Sequence, residues 1–236
     1  NFKNINHSNH KFFVNKLVPI TGGFYFLLPA YFILNSIELS LFYCAVSIFL
    51  IGLLSDYNFL PSPKIRLLLQ FISVCSIVYF LKLEVFPTRI NIIDQTFKNT
   101  HISLFFTIFC LLILINGSNF IDGLNGLLIG YFLIVSFILY KNNIFQTLDI
   151  NSIEINFFFS SFIFILFLNL LNFTFLGDNG AYFLGFFFGS LLISIYNLNV
   201  NLISPYFIIL LLWYPCFENL FSIIRKIIQN ISPAKP

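Results

Sequence analysis

Charge is what this chain has least of. Only 9% of its 236 residues are Asp, Glu, Lys or Arg, where a soluble domain carries about 25%. With 58% hydrophobic residues and a mean hydropathy of +0.92, that shortage excludes an ordinary soluble domain and indicates an integral membrane protein. The net charge of +3 is too small for a nucleic-acid partner. Cysteine is sparse: Cys44, Cys75, Cys110 and Cys216 are scattered inside apolar runs, without metal-ligand spacing, and read as packing thiols. Methionine is absent, and the chain opens polar, so no cleavable signal peptide is visible and the sequence reads as a piece of a longer protein. The apolar runs do not alternate with polar residues, which excludes the strands of a membrane barrel. There is no internal repeat.

What is present is a series of long apolar runs. A helix needs about 20 residues to cross the hydrocarbon core. Eight segments qualify as helices: 22–35, 38–54, 65–82, 102–116, 126–141, 156–172, 181–197 and 203–222, the first and fourth being short. The expected fold is all-α, a polytopic transmembrane helical bundle of about eight helices in a single membrane domain over 1–236. The connections 83–101 and 142–155 read as polar loops. Eight crossings put 1–21, 55–64, 117–125, 173–180 and 223–236 on one face. That face collects Lys3, Lys11, Lys16, Lys64, Arg66, Arg225, Lys226 and Lys235, against Lys82, Arg89, Lys98 and Lys141 opposite, which favours it as the cytoplasmic side.

Between two apolar runs lies Asn116-Gly-Ser-Asn-Phe-Ile-Asp-Gly-Leu-Asn-Gly126. Asn116, Asn119, Asp122 and Asn125 recur every third residue and are expected to share one broad face of a helix or 3₁₀ turn. Such groups cost several kcal/mol when left unpaired in lipid, so the cluster marks a functional site. The same face carries Asp56, Asp122, Asp178 and Glu218. The first three stand beside Gly or Asn at the mouths of helix pairs, in Ser55-Asp56-Tyr57-Asn58, Asp122-Gly123-Leu124-Asn125 and Gly177-Asp178-Asn179-Gly180. Converging oxygens suit Mg²⁺, which takes one or two carboxylates plus substrate phosphates; neighbouring Lys and Arg suit phosphate recognition. Each element also has a plainer structural reading. Asp56 ends a helix in solvent, Gly177–Gly180 is a turn with an N-cap, and Glu218 pairs with Arg225. Trp213 and Tyr214 beside Pro215 read as an interfacial or packing feature.

In this order the motifs resemble those of the polyprenyl-phosphate N-acetylhexosamine-1-phosphate transferases, the MraY/WecA group. Asn116–Gly126 is similar to that family's Asn-x-x-Asn-x-x-Asp-Gly-x-Asp-Gly, and Gly177–Ala181 to its Gly-Asp-x-Gly-Ser. Ser55-Asp56, with Ser62-Pro63-Lys64-Ile65-Arg66 behind it, is similar to its Asp-Asp pair, and Pro19–Gly23 to its Pro-x-x-Gly-Gly leader. The resemblance implies transfer of N-acetylhexosamine-1-phosphate from a UDP-sugar to polyprenyl phosphate, giving polyprenyl-diphospho-sugar and UMP. It implies Mg²⁺, with Mn²⁺ as a substitute, and a multi-pass protein of the bacterial cytoplasmic membrane acting at its cytoplasmic face. It implies metal ligation by Asp178 and Asp56, catalytic roles for Asp56, Asp122 and Asn125, and substrate contacts from Lys16, Thr21, Lys64, Asn116 and Asn119. Its partners are UDP-N-acetylhexosamine, polyprenyl phosphate and membrane lipids, and it admits a homodimer.

Two positions depart from the family pattern. Ser55 replaces the first Asp of the pair and Asn125 the last Asp of the long motif. A phosphate monoester has its second pKa near 6, so the acceptor is largely dianionic at neutral pH and has little need of a base. The residues around Ser55 and Asn125 look more like the branch serving surface polysaccharides than the peptidoglycan-precursor branch. The resemblance also implies further helices beyond both ends of this sequence. Two other readings stand beside it: a transporter with Asn116–Gly126 as a broken-helix substrate site, and a catalytically degenerate homologue that scaffolds glycan assembly.

Overall fold

The computed structural model describes residues 18–229, apart from Phe86 and Asp149 and the side chains of Gln146 and Thr147. Lys16 therefore lies outside the described residues. The elements are α1 Phe24–Asn35, α2 Leu39–Asp56, α3 Pro63–Leu81, α4 Asn91–Phe97, α5 Thr100–Ile121, α6 Leu127–Lys141, a 3₁₀ helix Ile144–Leu148, α7 Ser152–Leu170, α8 Gly177–Leu198 and α9 Pro205–Ile228. The chain is an all-helical bundle. Six helices (α2, α3, α5, α7, α8 and α9) are long and apolar enough to cross a membrane, and α1 and α6 are shorter apolar helices.

All eight expected segments are helices, but several boundaries move. α5 runs five residues past the expected end at 116 and takes the first half of the polar motif with it. Gly117 and Ser118 are buried there, and a Cβ at Gly117 would collide with the Pro215 carbonyl of α9. Tertiary packing overrides the weak helix propensity of Asn, Gly and Ser. The stretch 83–101 is not all loop: Asp94 accepts from Thr88 N–H (2.7 Å), Thr88 Oγ1 (2.6 Å) and Arg89 N–H (3.0 Å), organising α4. Glu218 and Arg225 make no ion pair. Seven residues are about 10.5 Å of helix rise, beyond the three- and four-residue spacings that pair readily.

α8 is the axis of the bundle. Of its membrane-length window 89% is buried, against 50% or less for the other five spans. Lipid offers no hydrophobic drive between helices, so close packing has to hold them together. α8 achieves this with small residues on the faces toward α2 and α5. A Cβ at Gly185 would sit 2.7 Å from the Leu114 carbonyl oxygen of α5, and one at Gly52 of α2 would sit 2.5 Å from Asn179 Cα. Elsewhere its phenylalanines fill the core; Phe188 stacks on Phe132 of α6 with centroids 4.2 Å apart.

The two ends of the bundle are tied differently. At one end Arg89 Nη2 donates to the carbonyls of Val200 (2.8 Å) and Ile203 (3.1 Å), and Tyr196 Oη donates to the Pro87 carbonyl. The other end gathers the C-termini of α2, α5 and α7 and the N-termini of α3, α6 and α8. α9 carries Pro215 in its interior. Proline has no N–H, so the carbonyl four residues earlier loses its helical donor. That carbonyl is Leu211's, and Tyr131 Oη of α6 donates to it.

Candidate functional site

The site is built around the N-terminus of α8. The first N–H groups of a helix have no partner within it, and Leu176, the residue before Gly177, offers no capping side chain. The cap comes from α2 instead. Asp56, its last residue, is 3% exposed. Its Oδ1 accepts from Asp178 N–H at 2.9 Å, and its Oδ2 accepts from Asn179 N–H at 3.0 Å and Asn179 Nδ2 at 2.5 Å. The positive end of the helix dipole favours a carboxylate there. So Asp56 does not end its helix in solvent.

Backbone geometry brings these parts together. Gly177 has φ +76°, the left-handed region that glycine occupies without strain, and a Cβ on it would lie 2.9 Å from Asp56 Oδ2. Just before it, the leader pairs with the α7–α8 connection. Phe175 N–H donates to the Pro19 carbonyl and Gly22 N–H to the Phe175 carbonyl, each at 3.0 Å, forming a single parallel bridge Ile20–Phe175. Thr21 Oγ1 and Thr174 Oγ1 are 3.0 Å apart. This sets Gly23 directly against the Asn179 side chain, where any larger residue would collide.

Asp178 points toward α3. Its Oδ2 accepts from Ser55 Oγ at 2.6 Å and from Arg66 Nη1 at 2.7 Å. Arg66 Nη1 also donates to Ser55 Oγ at 2.6 Å and reaches Tyr182 Oη at 3.4 Å. The side chains of this ion pair are only 20% and 10% exposed. Asp122 follows α5 directly and lies beside the Gly177 N–H at the start of α8. Burial first, then the negative charges of Asp178 and Asp56, hold the Asp122 carboxyl well above the usual carboxylate range. Three acids from three helices therefore meet at one helix start.

The rest of the long motif divides among neighbours. Three helical residues turn about 300°, so an every-third pattern drifts by about 60° per step. Asn116 Nδ2 donates to Gln70 Oε1 of α3 at 3.0 Å and to the Leu112 carbonyl at 2.9 Å. Asn125 Nδ2 donates to Asn172 Oδ1, and Gly126 N–H to Asn169 Oδ1 at 2.6 Å, both beside the end of α7. Asn119 is half-buried and its side chain makes no hydrogen bond to the described residues. The expected common face thus becomes three: toward α3, α8 and α7. Lys64 is exposed in the first turn of α3.

In the sequence Arg66 stands among the face cations and in the segment behind the Asp-Asp match, and Asn179 within the Gly-Asp motif, neither with a role of its own, while Tyr182 and Gln70 are unmarked. Helical spacing holds their signal. Gln70 lies four residues after Arg66 and Tyr182 four after Asp178, so each pair shares a helix face, whereas Lys64 lies two residues from Arg66 and faces away from it. Among the described residues no three Asp, Glu, His or Cys side chains come close enough to enclose a metal by themselves. An ion here needs oxygens from a substrate. The donor set of Asp122 and Asp178 is hard carboxylate oxygen beside a cation that can balance a substrate phosphate, so the residues fit Mg²⁺.

A family model described as glycosyl transferase family 4 matches residues 38–196, more than half of the chain, including Ser55, Asp56, Arg66, Asn116–Gly126 and Asp178. No curated protein and no solved structure matches.

Proposed function

The chain belongs to glycosyl transferase family 4, and from that premise we propose that it transfers N-acetylhexosamine-1-phosphate from a UDP-sugar to a polyprenyl phosphate. We place the reaction at the cytoplasmic face of a bacterial cytoplasmic membrane, as a first step in surface-glycan synthesis of the non-peptidoglycan branch. The observation that carries the reading is the assembly of buried Asp56 and Asp178 with half-buried Asp122 and Arg66 at one end of the central helix of a membrane bundle. The lipid acceptor reaches such a site from the bilayer and the nucleotide donor from water.

In the reaction an acceptor phosphate oxygen forms a bond to the β-phosphorus of the UDP-sugar. The bond from that phosphorus to the bridging oxygen breaks, and UMP leaves with the electron pair. The transition state spreads negative charge over phosphoryl oxygens, so the protein's part is positioning and charge neutralisation. Asp56 positions: its two oxygens hold the start of α8, which aims Asp178. Asp178 and Asp122 would hold Mg²⁺, which when bound offsets phosphoryl charge. Arg66 supplies a cation for the diphosphate, while exposed Lys64 adds positive charge at the start of the same helix. Asn116 and Asn125 fix the two ends of the α5–α6 junction through Gln70 and Asn172, leaving Asn119 as the motif amide open to a substrate. Ser55, in place of a family Asp, keeps Asp178 oriented through its hydroxyl.

The test is transfer from UDP-N-acetylglucosamine, radiolabelled in its β-phosphate, to polyprenyl phosphate in membranes containing the protein. Label entering a lipid product with Mg²⁺, and lost on chelation and in Asp178→Asn, is the expected result. Transfer that persists in Asp178→Asn refutes the assignment of that residue. No transfer from any UDP-sugar by well-folded protein refutes the enzymatic reading.

A further inference from the structure

Arg66 is in an unusual position for a phosphate-binding cation. Its Nη1 is committed to Asp178 Oδ2 at 2.7 Å and to Ser55 Oγ at 2.6 Å, while Ser55 Oγ itself donates to the same Asp178 oxygen at 2.6 Å. The three groups close a ring on one carboxylate oxygen. That ring places positive charge on the acid assigned above to a divalent cation. Yet the guanidinium is not saturated. Arg66 Nε is buried and has no acceptor, and one turn further along the same face of α3 the fully buried Gln70 has an unpaired Nε2. Buried donors without acceptors are costly. Two of them, one in the guanidinium and the other four residues along the helix, point to an incoming oxyanion.

We propose that Arg66 is a resident counter-cation of Asp178, locked by Ser55, and that a divalent cation gains Asp178 when a diphosphate draws the guanidinium away. Cation and nucleotide then bind interdependently. The Nε of Arg66 and the Nε2 of Gln70 supply the receiving donors, so Gln70 is a second contact for the incoming diphosphate. The arrangement keeps Asp178 neutralised until substrate arrives. It also makes the coupling reciprocal: each ligand tightens the other by the same factor. This inference rests on the reading of Asp178 as a cation ligand.

The experiment is Mn²⁺ binding, followed by the electron paramagnetic resonance of the free ion, to purified protein in lipid nanodiscs with and without UDP. Wild type is expected to bind Mn²⁺ weakly without UDP. Arg66→Gln is expected to bind it about tenfold more tightly under the same conditions, a difference of about 1.4 kcal/mol, and to gain less from UDP. Arg66→Lys falls between. Equal Mn²⁺ affinity of wild type and Arg66→Gln without UDP, with binding still lost in Asp178→Asn, overturns the proposal while leaving the cation site standing. Binding indifferent to Asp178→Asn removes the cation site itself, and the proposal with it. Thermal unfolding of each variant is the folding control. Should Arg66→Gln not fold, Ser55→Ala loosens the same lock, and unchanged UDP-free affinity in that variant overturns the proposal equally.

Discussion

Asp56→Asn separates positioning from chemistry. The substitution is nearly isosteric, yet it places an NH₂ group among donors. Whichever way the amide turns, one side of the carboxylate site becomes a donor. If NH₂ replaces Oδ2, Asn179 N–H and Asn179 Nδ2 lose their acceptor; if it replaces Oδ1, Asp178 N–H does. Leaving a buried donor unpaired costs about 1–3 kcal/mol, and losing the carboxylate from a helix N-terminus adds about 0.3–1 kcal/mol. The cheaper orientation, with one orphaned donor, gives a loss of about 1.5–4 kcal/mol. For a chain of this size that lowers Tm by about 3–16 °C. The assay is thermal unfolding in detergent, monitored by fluorescence-detected size exclusion. Glu38→Gln at the opposite end is the control: Glu38 is exposed, accepts only a 3.3 Å bond from Ser40 Oγ, and its loss leaves Tm unmoved. If Asp56→Asn unfolds within about 1 °C of wild type, the α2 cap is not holding α8 and the positioning role falls.

Asp122→Asn acts in the opposite direction. Its carboxyl is raised in the folded protein, so the stability it contributes is complete below the unfolded value and lost as pH rises through the folded one; in metal-free buffer the variant gains Tm over wild type at pH 8 and loses that advantage at pH 4, and a variant less stable at pH 8 contradicts the assignment. Tyr131→Phe leaves the Leu211 carbonyl, already deprived of its helical donor by Pro215, without its hydroxyl partner; a loss of about 1–2 kcal/mol is expected by the same thermal assay, and an unchanged Tm means that another donor takes over. Gly117→Ala drives a methyl into the Pro215 carbonyl, a backbone atom that cannot rotate away; α5 and α9 separate, and folded protein recovered from membranes drops by more than half, whereas Gly130→Ala, with open space around it, leaves the yield unchanged.

Much of the fold was legible because lipid simplifies the signal. A spanning segment must be apolar over its length and must satisfy its backbone internally, so the eight runs announced themselves. The boundaries at the site end were not legible, since each is decided by a partner distant in sequence. α8 begins at Gly177 because Asp56, 122 positions before Asp178, caps its second and third residues. α5 continues to Ile121 because Gly117 and Ser118 pack against α9 and α8. Local propensity contains neither contact.

The candidate site shows the same division. The carboxylates stood out because an acid is expensive near a membrane, and Asp56, Asp122 and Asp178 do converge. Their roles were not visible in residue type. Asp56 and Asp178 look equivalent in sequence, each an acid beside small residues at a helix end. In the fold one accepts three hydrogen bonds from the start of α8, and the other carries the guanidinium. The role of Arg66 was hidden for the converse reason: within Ser62-Pro63-Lys64-Ile65-Arg66 it reads as one more cation of the membrane face, with nothing local to pair it with Asp178. Only the approach of α2 to α8, set by Gly52 against Asn179, puts Ser55 within 2.6 Å of both Arg66 and Asp178. The Ser55 departure is then no simple loss of an acid. An aspartate at 55 would add a further carboxylate to an end of the bundle where burial and two like charges already hold Asp122 high. A hydroxyl donates to Asp178 and accepts from Arg66 with no added charge, which is the only bonding pattern the ring of three groups can close on.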